Sequence, residues 1–387
     1  MTIPVKTDSR RSFLKGVLST AVFVGSGMLV PQAFASSSSA FAFRKGQPEL
    51  LLHFNENSLG MSPSALSAAQ EAIALYGNRY PDDAVDELRQ QLSALHGIDS
   101  KQLVLGNGST EVIGAVVELA ASKNATVIEP SPTFGDVRRR AKARGLNVVE
   151  VAVGDDFITD IGSLREAAEK QTGHLLINIC NPNNPTGSIV NQKALTDWIE
   201  EAGDDHLFLI DEAYFEYAQG NPAYGSALGL IQKGKENVIV TRTFSKIYGM
   251  AGMRIGYGFA ATETAKSVDQ YATSFNLSAA GVAAASASLK DEAFFAKSLA
   301  SNQNGKLILT SALDKLNLAY VNSDTNFVLH RINSDLASYS DRMKQNGVRV
   351  GRRMTKPDGW NRISIGQPKE MEAFVQTLLQ FRERGWV

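Results

Sequence analysis

Between residues 102 and 240 short apolar runs alternate with longer stretches of helical periodicity. The apolar runs fall at 102–105, 126–128, 147–151, 175–179, 207–210 and 238–240. They are short and largely β-branched or aliphatic, which predicts strands. Segments 110–122, 136–144, 161–169 and 192–202 lie between them and space their apolar residues as helices do. Strand–helix alternation of this kind predicts an α/β fold, a three-layer sandwich in which helices cover both faces of a mostly parallel sheet.

The pattern changes after residue 278. Small residues at 278–289 and a long periodic segment at 291–316 predict helices. They are followed by strand-like 326–330, a helix over 335–346, strands at 348–350 and 362–365, and a closing helix over 369–383. This mixture predicts a large domain over 66–290 and a smaller α+β C-terminal domain over 291–387. A polar arm, 36–65, is expected to join the smaller one.

Residues 1–35 read as an export signal. Ser9-Arg10-Arg11-Ser12-Phe13-Leu14-Lys15 resembles the twin-arginine motif, an uncharged apolar stretch follows, and Ala33-Phe34-Ala35 has the form of a cleavage site. The apolar stretch is shorter than the roughly 20 residues that span a bilayer, which favours a cleaved signal over a retained anchor. A folded protein carried to the periplasm is the expectation.

Composition narrows the function classes. A net charge of −1 gives no basis for nucleic-acid binding or a polybasic membrane patch. The single cysteine, Cys180, excludes an intrachain disulfide framework, and no ligand spacing predicts a metal site.

Polar clusters follow five of the strands: Gly106-Asn-Gly108-Ser109-Thr110, Pro130-Ser-Pro-Thr-Phe134, Asn181-Pro-Asn-Asn-Pro-Thr-Gly187, Asp211-Glu-Ala-Tyr214 and Ser245-Lys246. Ligands bind at the carboxyl ends of strands in an open parallel sheet, so five such clusters converge on one site. Gly108, Ser109 and Thr110 open a helix and present N–H groups and hydroxyls to an anion; an ordinary helix cap is the alternative. Hydroxyls at Thr243 and Ser245 with Arg254 suit a phosphate. Asp211, after an apolar run, needs a cation, either a protonated ring nitrogen or a buried ion-pair partner. Asn181 and Tyr214 can donate to a phenolate oxygen, and Phe134 can stack on a flat ring or simply pack. Lys246 offers an amine to a carbonyl compound. Glycines 249, 252, 256 and 258 are expected to let the backbone approach a ligand or turn left-handed. Together these groups describe a site for pyridoxal 5'-phosphate.

Seven strings extend that reading: N-E-N-S-L-G at 55–60, R-Y-P-D at 79–82, G-N-G-S-T-E at 106–111, N-P-N-N-P-T-G at 181–187, D-E-A-Y at 211–214, R-T-F-S-K at 242–246 and A-G-M-R-I-G-Y at 251–257. In this order they resemble the fold-type I pyridoxal-phosphate aminotransferases of class I/II, most closely the histidinol-phosphate aminotransferase branch. The resemblance implies that Lys246 bonds to the cofactor aldehyde and later shuttles a proton, and that Asp211 holds the ring nitrogen protonated. Asn181 and Tyr214 would bond the ring oxygen, and Ser109, Thr110, Thr243 or Ser245, and Arg254 the phosphate. The eight residues from Lys246 to Arg254, about two helical turns, match the family's spacing. It further implies a homodimer with shared sites, in which Tyr80 reaches the neighbouring subunit's phosphate. Arg362 would grip the substrate's anionic group, with Asn55 and Asn326 beside it. The implied reaction is ping-pong transfer of an amino group from an amino donor to a 2-oxo acid.

Departures from the branch bear on substrate. Phe134 stands where tyrosine is usual, Thr110 replaces an aspartate and Ser58 a proline, and the arginines of 349–353 do not match the branch's phosphate-gripping position. Histidine biosynthesis is cytosolic, whereas this chain carries an export signal. An α-amino acid with its carboxylate on Arg362 is therefore expected, with a second anionic group or a solvated strand end explaining 349–353. A decarboxylase or lyase on the same cofactor, and an exported non-catalytic binding protein, are the alternatives.

Overall fold

A computed structural model describes residues 49–355 and 358–387. The expected signal and the first part of the expected arm, to residue 48, lie outside the described residues. Residues 48–387 form one compact unit, and no helix among the described residues is long and apolar enough to cross a membrane.

Eleven strands are described: β1 (Leu50–Leu52), β2 (Leu103–Asn107), β3 (Thr126–Ser131), β4 (Val148–Ala152), β5 (Leu175–Cys180), β6 (His206–Asp211), β7 (Val238–Thr243), β8 (Ile255–Ala260), β9 (Phe327–Arg331), β10 (Val348–Val350) and β11 (Trp360–Ser364). Seven form the main sheet in the order β2-β8-β7-β6-β5-β3-β4. All its pairings are parallel except those that β8 makes with β2 and β7. The pleat divides the apolar residues between two cores. Ile177, Ile179, Phe208, Ile210, Val238 and Val240 face one, while Val127, Leu176, Leu209 and Ile239 face the other. A sheet covered on both faces reads as continuous apolar strands, which is why the runs were visible without alternation.

β8 departs from the expected glycine-rich ligand loop. Gly256 and Gly258 sit inside this strand, and a Cβ at Gly256 would run into the backbone of Gly108 and Ser109. These glycines therefore admit the start of the Ser109–Ser122 helix, not a ligand. The expected helical spacing from Lys246 to Arg254 is also not observed. The segment is a turn and a short 3-10 element, Ala251–Met253, and Arg254 is left-handed at φ 59°.

β1 pairs with β10, and β9 with β11. Leu52, Leu309, Leu313, Val348, Ile363, Phe374 and Phe381 make a separate apolar cluster there. Strand β1 thus fastens the polar segment 53–60 between the C-terminal part and the sheet.

Candidate active site

Five strand ends, those of β2, β3, β5, β6 and β7, deliver the chemistry. β7 stops at Thr243, and the next residues fold into a tight turn closed by Gly249 N–H donating to the Lys246 carbonyl and Met250 N–H to that of Phe244. Gly249, at φ 68°, lies so close to the Gly60 carbonyl that a side chain there would collide with it. Asn57 Nδ2 donates to the Ile247 carbonyl at 2.8 Å. The two loops hold each other, and the Lys246 side chain is left in a cavity of about 730 Å³.

Asp211, Tyr214, Phe134, Ser109, Thr110, Thr243, Ser245, Arg254, Asn55 and Arg362 line the same cavity. Ser109 and Thr110 open their helix after Gly108, φ 71°, so their N–H groups lack intrahelical partners. Arg254 comes across to this helix start. Its Nη1 donates to Ser245 Oγ at 3.3 Å and its Nη2 to the Asn107 carbonyl at 3.2 Å. A Cβ at Gly108 would strike that guanidinium. Thr243 Oγ1 donates to Ser245 Oγ at 2.9 Å. Two hydroxyls, a guanidinium and a helix N-terminus thus form an anion cradle.

Asp211 accepts from Thr241 Oγ1 at 3.1 Å, and the Cys180 thiol lies 4.0 Å from its carboxylate. Neither neighbour is a cation. Burial pushes its pKa up to about 6, partly opposed by Thr241 and the Ala213 N–H. Burial also lowers Lys246 to about 8, assisted by the Arg362 charge and opposed by Glu56 and Asp211. The Lys246 ammonium lies 5.5 Å from the Tyr214 ring centroid. Arg362 is only 7% exposed. Its Nη1 donates to Asn184 Oδ1 at 2.7 Å and its Nη2 to the His53 carbonyl at 2.8 Å, while its Nε is buried without a partner.

Some expected residues lie elsewhere. Asn181 is 1% exposed and spends its Oδ1 on the Val190 N–H at 3.1 Å. Asn184, from the same turn, lines the cavity instead. Both asparagines occur in one Asn-Pro-Asn-Asn-Pro string, and the Oδ1 contact leaves the Asn181 Nδ2, the donor expected to meet the ring oxygen, uncommitted. Asn326 does not line the cavity; its Nδ2 donates to the Asn55 carbonyl at 2.9 Å, so it supports a lining residue. Asn55, at φ 56°, donates its Nδ2 to Tyr214 Oη at 3.0 Å. Gly108 makes room for Arg254 and is not among the residues lining this cavity. Tyr80 is 73% exposed and stacks on Phe275 with centroids 4.8 Å apart, away from the cavity lining. Sequence reasoning missed His53, Cys180 and Asn184 in the lining, whereas Arg352 belongs to the 349–353 cluster already marked for a second anionic group. Of the missed residues, His53 carried the available signal, being a polar residue within the segment already marked as polar.

An anion cradle, a buried acid lacking a cation, a planar aromatic and an amine of lowered pKa in one cavity fit pyridoxal phosphate, and define the chain as an enzyme of that cofactor. The family profile of class I and II aminotransferases matches residues 48–378. The chain belongs to this family: it is an aminotransferase with pyridoxal phosphate as cofactor. It is 35% identical over 84% of its length to histidinol-phosphate aminotransferase of Moorella thermoacetica, covering 83% of that protein. The Brevibacillus brevis histidinol-phosphate aminotransferase is 33% identical over 84% of this chain and 88% of its own. Among solved structures, histidinol-phosphate aminotransferase from Sinorhizobium meliloti in complex with pyridoxal-5'-phosphate superposes with a TM-score of 0.79. It is 29% identical, covering 86% of this chain and 90% of that one.

Proposed function

We propose that the amino donor is an α-amino acid whose carboxylate binds Arg362, and that the reaction takes place in the periplasm. The observation that carries the substrate reading is the buried Arg362 guanidinium, which shares the cavity with Lys246 and keeps its Nε unpartnered. A carboxylate there would complete the guanidinium's hydrogen bonding and neutralise a charge that lowers the Lys246 pKa.

When bound, pyridoxal phosphate supplies the electron sink that lets a proton leave the substrate Cα. Lys246 Nζ would receive that proton and hand it on within the same exchange. A pKa of about 8 leaves a useful fraction as free amine near neutrality. Asp211 would hold a proton on the ring nitrogen, and the ion pair formed would bring the Asp211 pKa back down. The turn carrying Asn184 orients Arg362, and Tyr214 Oη, which accepts from Asn55, keeps its O–H free to donate to a bound group.

Histidinol phosphate, named by the relatives, is one candidate substrate. The Gly351-Arg352-Arg353 sequence and the twin-arginine motif favour a different, exported role. We place Tyr80 in the site of a second copy. Supporting that reading, Phe54, Tyr80 and Phe275 leave 64%, 73% and 69% of their surfaces uncovered.

A panel of amino donors and 2-oxo acids on the mature protein tests the reading. Stoichiometric exchange of amine for keto group, with donor KM rising sharply in Arg362→Gln, is expected. Release of carbon dioxide or ammonia without exchange overturns it. Export is tested by replacing Arg10 and Arg11 with lysine, which is expected to leave the protein in the cytoplasm.

A further inference from the structure

A second cavity, about 910 Å³, adjoins the catalytic one. Phe134, Arg352 and Met354 line both. The outer cavity runs between the helix Asp136–Ala143 and residues 352–355. Its walls carry Arg138, Arg139, Lys142, Arg352 and Arg353 against only Asp136 and Glu150.

The carboxylates are already engaged. Glu150 accepts from Arg138 at 2.5 Å and pairs with Lys142 at 3.4 Å. Asp136 pairs with Arg139 and, at 2.8 Å, with Arg140. Among the described residues Arg352 is paired with no carboxylate. Glu129, fully buried beneath Arg138 at 3.4 Å, is bonded by Asn178 at 2.9 Å and is pushed up to about 7 by burial. It therefore offsets the positive charge only in part near neutrality. In a chain of net charge −1, this surplus of cations around one trough is a local feature. The inner cavity is already of a size that suits a cofactor with a small substrate. The outer one is extra room, and the two share a guanidinium and an aromatic ring in their walls.

We propose that the outer cavity binds a second anionic group, carried on an extended side chain of the amino substrate. Resting on the reading above, the α-carboxylate lies on Arg362 and the side chain passes between Phe134 and Arg352. Its distal phosphoryl or carboxylate group meets Arg352, Arg139 and Lys142. Preferred substrates are thus α-amino acids with a long, anionic side chain.

O-phospho-L-tyrosine, 4-carboxy-L-phenylalanine and L-tyrosine have similar reach and differ in the distal group, so they test this in wild type and in Arg139→Ala/Lys142→Ala. Both substituted residues are exposed, at 68% and 58% of their side chains, so the fold is expected to survive. The readouts are kcat/KM and a calorimetric Kd on the holoenzyme. A charge-assisted contact is worth about tenfold or more. At least one anionic probe is expected to exceed L-tyrosine by that factor in both readouts. The double variant should remove most of the gap and leave L-tyrosine unchanged. Preference for the phosphoryl probe alone, or equally for both, distinguishes the group accommodated. Equal binding of all three, or a gap that the variant does not touch, overturns the proposal. Anion-dependent binding with no amino transfer from any donor would instead overturn the assignment of α-amino acid donors and leave the trough standing.

Discussion

Asp211 and Glu212 are neighbours on the same chain, and the pleat sends them to opposite faces. Asp211 enters the catalytic cavity with a hydroxyl and a backbone N–H for company, and its carboxyl is raised to about 6. Glu212 is fully buried on the other face. It accepts from Arg242 Nη2 at 2.8 Å and Nε at 3.1 Å, from Ser226 and from the Ala227 N–H. Arg242 is itself pressed onto the Phe215 ring, 3.3 Å from its centroid. One carboxylate is satisfied by the protein, and the other is left for a ligand to satisfy. The difference marks which is structural and which is chemical, because a buried charge without a partner persists only where a bound group supplies one.

The comparison can be broken in order of expected effect. Lys246→Ala should lower turnover by about 10⁴-fold, since it removes both the covalent anchor and the proton carrier; single-turnover absorbance measures this. Asp211→Asn should lower turnover by about 10³-fold and leave the cofactor-free protein at least as stable at pH 7. Glu212→Gln should do the reverse, costing about 3–5 kcal/mol in denaturant unfolding because it leaves Arg242 buried and unpaired. Equal stability losses in the two variants would erase the distinction drawn between the two faces.

Acid sharpens it. Asp211 has a folded pKa above its ordinary 3.8, so its ionisation opposes folding above about pH 6. That opposition fades as pH falls from about 6 towards 3.8. The stability advantage of cofactor-free Asp211→Asn over wild type, on the order of 3 kcal/mol at pH 7, should therefore vanish near pH 4. Lys246 behaves oppositely: its lowered pKa opposes folding below about pH 8, and the cost fades as pH rises through 10.5. Loading the cofactor should remove both effects, as pH-dependent melting with and without it would show. The smallest contrast lies within the turn 181–187. Asn184→Ala should raise donor KM by about tenfold through Arg362, whereas Asn181→Ala, which makes no contact with Arg362, should leave donor KM nearly unchanged.

Much of this was legible in the chain. The apolar runs marked six of the seven main-sheet strands because both sheet faces are buried, and the polar strings after them marked the site because parallel strands share one carboxyl edge. β8 was hidden because two glycines and a tyrosine look like a loop until the helix at Ser109 is seen against them. The place of Asn184 in the lining was hidden for a similar reason, since a turn sets side-chain direction by backbone angles that composition does not reveal.

Local periodicity and residue chemistry, both properties of neighbours along the chain, determined the α/β class, the amine, the acid and the anion cradle. Tertiary structure alone decided that Arg362, far away in β11, lies against Asn184 and the His53 carbonyl, and that a second, cation-walled cavity opens beside the first. Those are contacts between segments remote in sequence, set by how the cores pack, and no local pattern carries them.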